Sequence, residues 1–61
     1  PRSAFAFQQM KRRDRDTLML QVACDMDIPV IAQSLGIPVG TVKSRLHRAR
    51  CILTAHLEAH V

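Results

Sequence analysis

The chain has 61 residues, 48% of them hydrophobic, with nine Lys and Arg against five Asp and Glu for a formal net charge of +4. That length predicts one small domain spanning 1–61, which would bury only about 60% of the surface its unfolded chain exposes; a start at Pro1 rather than Met reads as a domain excised from a longer protein. No apolar run approaches the ~18 residues of a membrane span, and two cysteines, Cys24 and Cys51, without a signal peptide predict reduced thiols in the cytoplasm rather than a disulfide framework.

Four helices are predicted in chain order. The first covers Arg2 to Gln9, where Ala4, Ala6 and the glutamines permit helix, and it carries Phe5 and Phe7. A break falls near Met10 to Arg12, where the chain becomes charged. The second helix runs from about Arg12 to Cys24, with Leu18, Met19 and Val22 as its apolar positions. Asp14 and Asp16 lie in its first turns, where the helix dipole favours acids.

Asp25-Met26-Asp27 ends that helix. Asp27 is a good N-cap for a third helix, Ile28 to Leu35, and Pro29 is tolerated in its first turn. Ile31, Ala32 and Leu35 form its inward stripe. Gly36 supplies a sharp turn, Ile37 plugs the core, and Pro38 starts the fourth helix. That helix runs from about Val39 to beyond Leu57. At about 100° per residue, Val42, Leu46, Ala49 and Leu53 fall within about 60° of arc and make the core face. Ser44, His47, Arg48 and Cys51 lie opposite, with Lys43 at the edge.

Two short helices joined by a Gly-containing turn, the second strongly basic, predict a helix-turn-helix in an all-α fold. Six of the nine basic residues fall in two clusters, Lys11-Arg12-Arg13 and Lys43, Arg45 and Arg48. Such clustering suits a polyanion, and nucleic acid above all. Within the fourth helix, Gly40 lets the backbone approach a duplex closely. Thr41 can touch a phosphate or a thymine methyl, and Lys43 and Arg48 can donate to guanine O6 and N7. Ser44 can bond to bases or phosphate, and His47 can donate or stack. Arg45 and Arg50, on the flanks, suit phosphate or solvent.

The run Gly40-Thr41-Val42-Lys43-Ser44-Arg45-Leu46-His47-Arg48-Ala49-Arg50 resembles the recognition helix of region 4 of bacterial sigma factors, in particular the extracytoplasmic-function group of the sigma-70 family. The resemblance extends more loosely to Arg15-Asp16-Thr17-Leu18-Met19-Leu20, and it implies left-handed geometry at Asp25, where the family usually carries Gly and Asp is tolerated at some cost. It implies a domain that holds the −35 promoter element on one face and the flap of the RNA polymerase β subunit on another, as a monomer on DNA, with an anti-sigma factor as a further partner. Phe5, Phe7, Met10, Ile52 and Leu57 are the candidates for the protein face. The family often carries polar or aromatic residues where this chain has Ile28-Pro29-Val30. An apolar edge there makes no side-chain hydrogen bonds, so either the promoter contact is reduced or the edge meets a protein.

Two other functions use the same residues. The helix-turn-helix of a dimeric response regulator shares the Thr41-Val42-Lys43 opening but continues differently. A module held chiefly by a regulatory protein is the other. Enzyme chemistry finds no support: no nucleophile with a base and orienter can be assembled, and no Gly-rich phosphate loop occurs. No cofactor is implied. His47 with Cys51 and His56 with His60 have ligand spacing but point roughly 140° apart, so no four-ligand metal site is expected.

Overall fold

The computed structural model describes residues 2–58, and the side chains from residue 4. Four α-helices follow one another, α1 (Arg2–Gln9), α2 (Arg12–Val22), α3 (Ile28–Leu35) and α4 (Val39–Glu58), with no strand among the described residues. The breaks have local causes. Lys11 is extended at φ −64°, ψ 147°, between α1 and α2. Asp25 takes φ 54°, the one left-handed non-glycine among the described residues; its short polar side chain lowers the cost of that geometry. Asp27 stands at the N-cap position of α3, although its side chain makes no capping bond.

Gly36 ends α3 at φ 67°, ψ 37°, and the amides of Gly36 and Ile37 donate to Gln33 and Ala32 carbonyls at 3.4 and 3.1 Å. This left-handed C-cap closes the orphan carbonyls of α3 and reverses the chain. The reversal turns Ile37 inward, half-buried against the core. It also leaves Leu35, expected on the inward stripe, 42% exposed. The helical period is right for Leu35, but it is the last residue of α3 and no element covers it.

Met10, Leu18, Ile31, Ala32, Val42, Leu46 and Ala49 form the core cluster, each at most 6% exposed. α4 runs through the middle and packs on α1, α2 and α3. On α2 only Leu18 of the expected apolar set is buried. Met19 and Val22 face outward, at 41% and 67% exposed, while Leu20 is half-buried against the core. Thr17 fills the inner face instead, wholly buried, with its hydroxyl donating to the Arg13 carbonyl at 2.7 Å. That bond satisfies the one polar group Thr17 brings inside.

Candidate nucleic-acid interface

α4 begins on the carbonyl of Pro38, which accepts from the amides of Thr41 and Val42 at 3.0 and 3.2 Å. Gly40 is therefore the second residue of the helix, where a glycine is less favourable than alanine. Nothing inside the protein requires it: a methyl placed on Gly40 would meet no atom within 4 Å. Lys43, Ser44 and His47 are exposed on the outer side of α4, while Thr41 and Arg45 are half-buried. The core residues Val42, Leu46 and Ala49, on the other side, fix the rotation of the helix.

Three of these polar groups have partners of their own. The Ser44 hydroxyl donates to the Gly40 carbonyl at 3.0 Å. The His47 ring nitrogen Nε2 lies 3.6 Å from the Cys51 thiol, one turn along the same face. Arg48 is the most committed. Its Nε and Nη2 donate to the two carboxylate oxygens of Asp14 at 3.1 Å each. The Asp14 side chain is 4% exposed and that of Arg48 53%. The hydrogen bond and the charge of Asp14 raise the Arg48 pKa above its already high ordinary value, so the guanidinium stays protonated.

This pair changes the reading of Arg48. Asp14 engages the Nε and Nη2 edge, and three of the five N–H groups of the guanidinium remain. Nothing local in the sequence announces the contact, since the partners are 34 residues apart. On the same face of α2 as Asp14, seven residues on, lies Gln21. Gln21 accepts a hydrogen bond from Arg50, so α2 presents two polar hooks to α4.

Lys11, Arg12 and Arg13 at the start of α2 face Thr41, Arg45 and Arg48 of α4 across a cleft of about 350 Å³ with Asp14 in its lining. The two basic clusters of the sequence thus meet in space. Arg12 also approaches Asp16 at 3.6 Å, with both side chains well exposed, a contact of little weight in water.

The expected protein face divides. Phe5 and Leu57 are 53% and 43% exposed, and the Phe5 ring stands edge-on to His56 with centroids 5.1 Å apart. Phe7 and Ile52 are half-buried against the core. Met10 is a correction: it is 6% exposed and part of the core cluster. The turn that closes α1, with the Met10 amide donating to the Phe7 carbonyl at 3.3 Å, carries the residue inward. On α3, Pro29 and Val30 are exposed and Ile28 is half-buried.

No three metal-ligating side chains come together among the described residues, and His60 lies outside them. None of the described helices is long and apolar enough to cross a membrane. A family model described as "Sigma-70, region 4" matches residues 5–51. No curated protein and no solved structure matches the chain.

Proposed function

Since the chain belongs to the sigma-70 region 4 family, a family of promoter recognition, we propose that it reads the −35 element for a sigma factor of the extracytoplasmic-function group. The observation that carries this reading is the outer face of α4. Lys43, Ser44 and His47 project from a helix whose rotation the core fixes, and Gly40 leaves the leading turn bare. A helix about 10–12 Å across fits a major groove about 12 Å wide. In this reading Lys43, Ser44 and His47 meet base edges, Thr41 and Arg45 meet phosphate, and the free N–H groups of Arg48 add to the phosphate contacts. The domain acts in the cytoplasm as a monomer on DNA. It docks on the polymerase β flap through Phe5 and Leu57, a surface that an anti-sigma factor would share.

Selection from a randomised duplex pool with the 61-residue chain tests the reading. One short motif should be enriched. Lys43→Ala should relax one position of it, at a cost of about 1–3 kcal/mol if the contact is to a guanine. A pool that emerges unenriched, or a motif indifferent to Lys43, refutes it. A symmetric motif bound by two copies would favour the dimeric-regulator alternative instead.

A further inference from the structure

The two basic clusters converge on a place that the base-reading face does not use. Five cations, Lys11, Arg12, Arg13, Arg45 and Arg48, line the cleft between the start of α2 and the flank of α4. Against the single carboxylate of Asp14 they leave a net +4, equal to the formal charge of the whole chain. Lys11, Arg12 and Arg13 are exposed, and among the described residues the one acid paired with any of them, Asp16 with Arg12, lies in open solvent. Such a concentration of like charge is self-repulsive in the free protein and is relieved by an anion.

Asp14 does not cancel the site; it organises it. Nearly buried, it binds Arg48 by two bonds and fixes the guanidinium in the lining of the cleft, with three N–H groups still to donate. At about 100° per residue, Thr41, Arg45 and Arg48 fall within about 60° of one another on one flank of α4, while Lys43 and His47 lie on the other. When a helix fills a major groove, its flanks face the two phosphate backbones, not the base edges.

We propose that this cleft is a phosphate clamp: Lys11, Arg12, Arg13 and Arg45, with Arg48 held by Asp14, grip the backbone of one DNA strand at the rim of the groove, whatever its sequence. The proposal rests on the promoter reading above. It divides the work between a face that selects sequence and a cleft, built by a different helix, that supplies affinity.

The test is the salt dependence of binding by the 61-residue chain to its selected duplex and to a scrambled one. Lys11→Gln/Arg12→Gln/Arg13→Gln removes three exposed cations and leaves Asp14 and the core in place. The log–log salt slope should become shallower by about 0.9 for each phosphate no longer neutralised, so by roughly 1 to 2.7. Affinity near 0.1 M salt should fall about tenfold or more, by the same factor for both duplexes. Arg45→Gln, on the other helix, should change the slope in the same sense and serves if the triple variant melts. Parent-like slope and affinity in both variants, with the parent still binding its motif, would overturn the clamp and leave the promoter reading intact. A loss confined to the selected duplex would also overturn it, by assigning these residues to base reading. Failure of the parent to bind any duplex at low salt would overturn both.

Discussion

Gly40→Ala separates what the free protein needs from what the duplex needs. In the free protein the added methyl projects into open space, with nothing within 4 Å. Replacing a helical glycine by alanine stabilises by about 0.5–1 kcal/mol in a helix interior. At the second position of α4 a value near 0.5 kcal/mol is expected, which raises the melting temperature of a domain this small by about 2–4 °C. On DNA the sign reverses. A methyl stands about 1.5 Å from its Cα. If the leading turn of α4 lies against the duplex, displacing it by that amount stretches base contacts of about 2.9 Å beyond hydrogen-bonding range. A single bidentate base pairing is worth about 1–3 kcal/mol, or roughly five- to 150-fold in affinity. Thermal melting by circular dichroism and fluorescence-anisotropy titration on the selected duplex measure the two sides. A more stable variant that binds DNA as the parent does would refute the close approach of the backbone. A less stable one would refute the open space at Gly40.

The Asp14–Arg48 pair predicts an asymmetry. Arg48→Met strands a carboxylate that is nearly buried, whereas Asp14→Leu with Arg48→Met removes both charges; urea unfolding should find the single variant the less stable of the two. Equal stability would mean that Asp14 finds water when Arg48 is gone. Elsewhere on the molecule, Phe5→Ser should lower the melting temperature by about 2–12 °C, since an exposed aromatic pair is worth about 0.5–1.5 kcal/mol, and should weaken flap binding while sparing DNA. Loss of folding in that variant would make Phe5 a core residue and move the protein face to Leu57.

The helices were legible because their ends are written locally. Asp27, Gly36 and Pro38 each impose a backbone geometry that depends on few neighbours, and α3 falls on its expected residues. The left-handed turn at Asp25 followed instead from the family resemblance, not from the residue itself. The inner face of α4 followed from its period alone: of Val42, Leu46, Ala49 and Leu53, the first three are buried and Leu53 is half-buried against the core. What periodicity does not carry is where a face runs out of neighbours. Leu35 and Val22 obey the helical repeat and are exposed all the same, while Met10, outside any helix, is core. The candidate site was legible in residue type and only partly in arrangement. Lys43, Ser44 and His47 project as expected, but the engagement of Arg48 by Asp14 depends on how α2 crosses α4, and no spacing within either helix encodes that crossing.

The arrangement of the helices around α4 has a mechanical consequence. α1 packs chiefly on α4, and α2 and α3 pack on it as well as on each other. The molecule is thus a spindle with one axle, and the axle itself carries the residues proposed to meet DNA. A load applied at Phe5 of α1 reaches Lys43 and His47 through a single continuous rod of backbone, with no loop between them to absorb it. Whatever grips the α1 side at Phe5 and whatever grips the outer side of α4 at Lys43 and His47 therefore hold two ends of the same helix. Their spacing is set largely by the length of α4 between His56, against which Phe5 stands, and Lys43, about 20 Å at 1.5 Å per residue, so a duplex and a partner held at once would be kept in fixed register with each other.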